Sequence, residues 1–435
     1  MQNSKLPSSL KFIFKGHDSY LEKGEALFHY QIRGNKNIDF TEKIYFPPVA
    51  SGIPPVLLKS IIDNLMLILG ISYWKTHCPR EIIIESNFLT YEQANFWNIV
   101  YTKGLGEFFY KNKIDFRERV KFPYVENVQK KTISFPRKDR ALLGLGGGKD
   151  SIVAAELLKK QEKDFDLFTV GTSSIQVGVA NLIGKKPILI KRELDSKLFE
   201  LNNQKGTYNG HIPISVIYAF LGLLASVLYD YRSIVVGNEK SANYGNVEYL
   251  GEVINHQWSK SEEFENLFSK YINKFITDDI KYSSLLRNMT ELEVMREFVK
   301  HPEYFKVFSS CNNNFKILRS AQNDIRGRWC GKCAKCLFVF TLLAGFISKE
   351  ELLVIFGKNL FEDKALLKTF NELLGLENFK PFECVGTPEE VKEALEKIAE
   401  KEEFSKTPLM EFYVKNKKLG SSSFNYNQRS RAIVK

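Results

Sequence analysis

Ala141-Leu142-Leu143-Gly144-Leu145-Gly146-Gly147-Gly148-Lys149-Asp150-Ser151 is the stretch on which the fold of this chain turns. Ala141 to Leu145 is apolar and strand-like, three glycines follow, and Ser151 to Lys160 has helical spacing. A glycine run between a strand and a helix lets backbone N–H groups close on an oxyanion, and the helix N-terminus adds partial positive charge. Lys149 is placed to neutralise phosphate, and Ser151 to donate from the first turn. Spacing excludes the two commonest phosphate loops. A Walker A loop needs Ser or Thr directly after its Gly-Lys pair, where this chain has Asp150; a dinucleotide fingerprint needs a third glycine, where it has Lys149.

Downstream, Leu167 to Val170, Pro187 to Ile190 and Ile234 to Val236 read as short strands alternating with helices, which predicts an α/β fold with a doubly wound parallel sheet. Ligands in such sheets bind beyond the carboxyl ends of the strands, so the loops starting at Gly146 and Gly237 are where chemistry is expected. Upstream, three antiparallel strands between residues 10 and 47, helices from Val56 to Trp74 and from Tyr91 to Phe109, and the strand-like Ile82-Ile83-Ile84 predict an α+β N-terminal domain. The expected organisation is an N-terminal domain over 1–138, a nucleotide-binding domain over 139–310, a helical domain carrying a cysteine cluster over 311–414, and a disordered basic tail over 415–435. In the helical part, Thr387-Pro388-Glu389-Glu390 has the form of a capping box and opens a helix expected to be structural.

A chain of 435 residues with 44% hydrophobic side chains is neither disordered nor collagenous, and six cysteines are too few for a disulfide scaffold. Six of its eleven net positive charges lie from Lys415 onward, leaving +5 elsewhere, which suits an anionic small molecule better than a broad nucleic-acid footprint. The N-terminus MQNSKLPSSLKFIF lacks the pattern of a secretory signal, so a cytoplasmic protein is expected. Eighteen uncharged residues between His211 and Asp230 reach the lower limit for a membrane span; Pro213, Ser215, Gly222 and Ser226 read instead as a buried helix.

Cys330, Cys333 and Cys336 stand at x2 spacing, with Cys311 upstream, so four of the six cysteines fall within 26 residues. Four thiolates close a tetrahedral site; zinc is the first choice, and an iron–sulfur cluster has the same ligand count. Cys78 and Cys384 are expected to be ordinary buried thiols.

The glycine run resembles the Ser-Gly-Gly-x-Asp-Ser loop of the PP-loop ATP pyrophosphatases, with Gly146 in place of the Ser. The cysteine block resembles the zinc knuckle of another PP-loop family, the 7-cyano-7-deazaguanine synthases. Further polar blocks are Lys15 to Tyr20, Gly104 to Phe109, Tyr208-Asn209-Gly210-His211-Ile212-Pro213, Gly237-Asn238-Glu239-Lys240-Ser241-Ala242, Glu252 to Ser261, Arg328 to Cys333, and Phe382-Glu383-Cys384-Val385-Gly386. Together with the loop they resemble the UDP-N-acetyl-α-D-muramoyl-L-alanyl-L-glutamate epimerases, the MurL family.

That resemblance implies an ATP- and Mg2+-dependent isomerase of peptidoglycan precursor synthesis. It inverts the terminal L-glutamate of UDP-MurNAc-L-Ala-L-Glu through an acyl-adenylate and releases AMP and diphosphate. Adenylation makes chemical sense, because removing an α-proton beside a free carboxylate would create a dianion, whereas a neutral acyl carbonyl spreads the developing charge. Gly146, Gly147, Gly148, Lys149, Asp150, Ser151, Asn238 and Glu239 are then expected to hold ATP, with Asp150 and Glu239 near Mg2+. His256, Lys260 and His211 are the candidates for proton transfer. Asn209, Arg287 and Trp258 are candidates for substrate binding, and Cys311, Cys330, Cys333 and Cys336 for the structural metal. The alternatives are a PP-loop adenylating enzyme acting on tRNA or another carboxylate, and a non-catalytic nucleotide- or zinc-binding protein. Against tRNA thiolation stands the absence of any cysteine between Ala141 and Ser310.

Overall fold

The computed structural model describes residues 10–50, 52–129, 132–313, 328–377 and 379–418. Five strands make the parallel half of a sheet: β5 (Ala141–Gly144), β6 (Phe165–Val170), β7 (Ile188–Glu193), β8 (Ser233–Val236) and β11 (Lys281–Ser284). They lie in the order β11-β8-β5-β6-β7, so the chain winds outward from β5 in both directions. That is the doubly wound arrangement, with its switch point between β5 and β8. β11 has no counterpart in the sequence reading. Lys281-Tyr282-Ser283-Ser284 is too short and too polar for its periodicity to stand out; pairing with β8 makes it a strand.

The sheet then continues into the N-terminal segment. β1 (Lys11–Tyr20), β2 (Glu25–Arg33) and β3 (Ile38–Tyr45) form an antiparallel meander, and β4 (Glu81–Ile84) adds in parallel to β1. β3 pairs antiparallel with β7 through Lys43↔Glu193, Ile44↔Arg192 and Tyr45↔Lys191. Beside this seam Arg192 holds the buried Glu42 carboxylate at 2.6 and 3.2 Å and reaches Ser72 at 2.8 Å. These nine strands therefore form one sheet, continuous across the division expected at residue 138, while β9 (Val247–Tyr249) and β10 (Glu252–Ile254) pair separately.

Alternation along the strands fills two cores. Leu142, Phe168 and Ile234 join the core that contains Leu65 and Phe220 of the helices Pro55–Leu69 and Ile214–Tyr229. Leu143, Leu167 and Val235 point the other way, into the core with Ile152 of helix Lys149–Lys160 and Leu337 of helix Ala334–Ala344. The apolar run after His211 is thus an internal helix, with Pro213 at its N-cap and twelve of its sixteen residues buried. Pro55–Trp74 is long and apolar enough to cross a membrane by length and composition, yet 78% of its apolar window is buried inside the fold.

Thr387 and Glu390 form the expected capping box, and the Glu390 carboxylate also accepts from Ser241 Oγ at 2.6 Å and Glu291 N at 2.8 Å. The helical C-terminal region is thereby tied to the loop after β8. Of the segment expected to be a basic tail, residues 415–418 end the helix Pro408–Lys418, and 419–435 lie outside the described residues.

Candidate active site

The glycine loop leaves β5 at the switch point and enters the helix Lys149–Lys160. Gly147 has φ +87°, and a Cβ on it would lie 2.7 Å from Ile175 Cγ2, so the tight turn requires glycine on both conformational and steric grounds. Ser151 Oγ accepts from Gly147 N at 3.3 Å and donates to Gly148 O at 3.0 Å, fixing the loop onto the first helical turn. Opposite, Gly237 follows β8; a Cβ there would stand 2.6 Å from Asp150 O. A third segment closes over the loop, with Ser309 N donating to Gly147 O at 3.1 Å.

These segments enclose a cavity of about 400 Å³. Its polar end is formed by Gly146, Gly148, Asp150, Ser151, Asn238 and Ser310, and its apolar end by Phe168, Val170, Ile214, Tyr218 and Ile234. Lys260, Lys335 and Cys384 complete the wall. Room at a glycine loop and helix N-terminus, with apolar side chains lining the same cavity, suits a purine nucleotide.

Several sequence expectations change here. Lys149 does not face the cavity: its side chain is 1% exposed and its ammonium is ion-paired with Asp150 and with the equally buried Glu291. Burial alone would push the ammonium down, but the two carboxylates raise it instead. Burial pushes the Glu291 carboxyl up to about 7, against the pull of Lys149. Glu239 is likewise buried behind the loop and raised, first by burial and then by the Asp150 charge. Among the described residues the cations at the cavity wall are Lys260 and Lys335. Lys335 lies within the cysteine knuckle, where the sequence offered only metal spacing as a signal.

Arg287 is a structural clamp. It pairs with Glu265 at 2.7 and 3.0 Å and donates to Glu239 O at 3.1 Å and Lys260 O at 2.8 Å. Trp258 is 4% exposed and donates to Glu263 at 3.1 Å. Asn209 accepts from Lys75 at 2.9 Å. None of these three expected substrate ligands lines the cavity.

The proton-transfer candidates do converge, around a residue that the sequence reading set aside. Cys384 Sγ accepts from Lys260 Nζ at 3.3 Å and lies 3.8 Å from His256 Nε2. His256 Nδ1 is bonded to the Glu107 carboxylate, which also pairs with Lys111 at 2.5 Å and stands 3.4 Å from His211 Nδ1. Each charge follows from its neighbours. Burial would raise the Cys384 thiol, but Lys260 and then His256 hold it well below the usual thiol range. His256 is pushed up to about 9: burial opposes the proton, and hydrogen bonds to Cys384 and Glu107 overcome it. His211 falls to about 3, through burial and the nearby His256 charge. Neither imidazole lines the cavity; Cys384 and Lys260 do. Cys384 also removes the sequence-based objection to thiol chemistry at this cavity, because a cysteine far along the chain reaches its wall. Its one sequence signal was the block Phe382 to Gly386.

At the N-terminus of the helix Ala334–Ala344, whose N-cap is Cys333, the residues Cys311, Cys330, Cys333 and Cys336 bring their sulfurs within 4.8 Å of one another. Lys332 N points at Cys330 Sγ at 3.4 Å, and Cys330 N at Cys311 Sγ at 3.5 Å. Four converging sulfurs with backbone N–H donors fit a tetrahedral zinc ion. The expected extra loop from Ile317 to Arg328 lies outside the described residues except for Arg328.

Family models of the MurL N-terminal domain and the MurL C-terminal domain match residues 4–285 and 307–424. The UDP-N-acetyl-alpha-D-muramoyl-L-alanyl-L-glutamate epimerase of Xanthomonas oryzae pv. oryzae is 36% identical over 371 residues, covering 85% of this chain and 81% of that protein. The enzymes of the same name from Micromonospora sp. and Salinispora tropica are 34% and 35% identical over 417 residues, covering 94% of this chain and 91% and 89% of theirs. A solved Methanocaldococcus jannaschii chain, described as a predicted subunit of tRNA methyltransferase, is 19% identical over 37% of this chain and 75% of its own, with a TM-score of 0.24. That score is too low to carry an argument about fold. With both family models matched in order and three relatives aligned over most of their length, this chain belongs to the MurL family.

Proposed function

We propose that this protein inverts the terminal L-glutamate of UDP-MurNAc-L-Ala-L-Glu to D-glutamate in peptidoglycan precursor synthesis, at the expense of ATP cleaved to AMP and diphosphate. It is an isomerase acting on a small nucleotide-linked dipeptide in the cytoplasm. One observation carries the reading beyond the relatives' names: a glycine loop shares one cavity with Cys384 and Lys260, and His256 and Glu107 stand behind the sulfur.

The apolar end of the cavity accepts the adenine, and the backbone of Gly146 to Ser151 receives the phosphates in the manner of a PP-loop. Lys335 neutralises their charge, the part expected of Lys149. Asp150 is the carboxylate placed to meet Mg2+, with Glu239 behind it. Residues 1–138 contribute Glu107, the anchor of His256, 139–310 form the nucleotide-binding part, and 311–414 contribute Lys335 and Cys384. The four knuckle cysteines would hold a structural Zn2+, and Lys335, between Cys333 and Cys336, would be fixed with them.

The test uses purified protein with ATP, Mg2+ and UDP-MurNAc-L-Ala-L-Glu, reading AMP release and the chirality of glutamate after acid hydrolysis. D-Glutamate together with AMP is expected. AMP without D-glutamate would keep the adenylating chemistry and move it to another acceptor; neither product, from folded and metal-loaded protein, would refute the reading.

A further inference from the structure

The geometry points to Cys384 as the base that takes the α-proton of the glutamyl residue, its sulfur held at the cavity wall between Lys260 and His256. This rests on the epimerase reading above and deepens it. Among the described residues six titratable side chains line the cavity: Asp150, Lys260, Lys335, Cys384 and two tyrosines, Tyr218 and Tyr282, whose hydroxyls burial keeps protonated. Asp150 belongs to the phosphate loop, and the two lysines are cations. Only the sulfur offers an electron pair away from the phosphates.

Its surroundings are built to keep that pair available. Lys260 approaches Sγ from one side at 3.3 Å and His256 from another at 3.8 Å, and the latter is anchored through Nδ1 to Glu107. A thiol between an ammonium and an imidazolium is held as thiolate, the form that accepts protons. The segment around it is fixed from three directions. Gln257 Nε2 and Lys380 Nζ both donate to Val385 O, at 3.1 and 3.0 Å, and Glu383 accepts from Lys335 N at 2.7 Å. Such fixing is what a base needs to meet a C–H bond without reorganisation.

The step balances simply. The Cα–H bond of the carboxyl-activated glutamyl residue breaks, an S–H bond forms, and the C–H electron pair moves into the activated carbonyl as an enolate. A proton of solvent origin then adds to the opposite face of Cα. Lys260 and His256 stay protonated throughout and act as positioning residues for the sulfur.

The experiment compares full-length, zinc-loaded wild type with Cys384→Ala and Cys384→Ser. It follows three signals: substrate-dependent ATP–diphosphate exchange, deuterium wash-in at the glutamyl Cα in D2O, and D-glutamate formation. Both variants are expected to lose ~100-fold or more in wash-in and inversion, the scale of a lost general base, while exchange stays within a few-fold. Wash-in near the wild-type rate in either variant would overturn the assignment. So would loss of exchange and wash-in by the same factor with zinc content and circular dichroism intact. Wild type that shows no exchange would instead refute the epimerase reading itself. His256→Gln separates positioning from mere structure: it should raise the pH at which iodoacetamide alkylates Cys384, and an unmoved pH profile would overturn the positioning role of His256.

Discussion

Replacing Lys149 by Met separates the two roles open to this residue, phosphate ligand and buried counter-ion. The Lys149 and Glu291 side chains are each 1% exposed, and the ammonium also pairs with Asp150. Removing it leaves a carboxylate inside the protein, a change that typically costs ~3–5 kcal/mol. The pH dependence follows from Glu291, pushed up to about 7 by burial even with Lys149 present. A carboxyl raised in the folded state stabilises that state below the unfolded value, and the contribution is lost as pH rises through the folded value. In the variant only the Lys335 charge still opposes burial, so the loss continues to higher pH, and the gap to wild type should be wider at about pH 8 than at about pH 5. Urea unfolding followed by tryptophan fluorescence at those two pH values measures it, and Lys149→Met with Glu291→Gln should recover most of the loss. A variant as stable as wild type that has lost ATP affinity would refute the reasoning and restore Lys149 to the phosphates.

Gly237→Ala places a methyl 2.6 Å from Asp150 O and should cost ~1–3 kcal/mol in thermal or urea unfolding, with weakened nucleotide affinity because the phosphate loop must shift. Cys336→Ser should abolish stoichiometric zinc in elemental analysis, where wild type is expected to give one ion per chain; an iron signal with visible absorbance would point to a cluster instead. Lys335→Ala should raise KM for ATP with little change in unfolding midpoint. Arg287→Ala should do the reverse, because Arg287 is tied to Glu265 and two backbone carbonyls rather than to the cavity.

What the sequence determined by itself was local. A glycine run between an apolar strand and a helix, cysteines at fixed spacing, and a capping box at Thr387 each act within a few residues, so their geometry is written in spacing. Several groups legible in this way, Gly146, Asp150, Ser151 and Asn238, stand at the cavity. Tertiary structure decided which charges meet. Lys149 looks like a phosphate ligand until Glu291, 142 residues away, captures it. Cys384 looks inert until Lys260 and His256, 124 and 128 residues away, close around it, and His256 depends on Glu107 at a separation of 149. The edge pairing of β3 with β7 likewise joins segments that sequence composition reads as separate. Burial and ion pairing are properties of the packed chain: a side chain's charge is set by neighbours that no local pattern names.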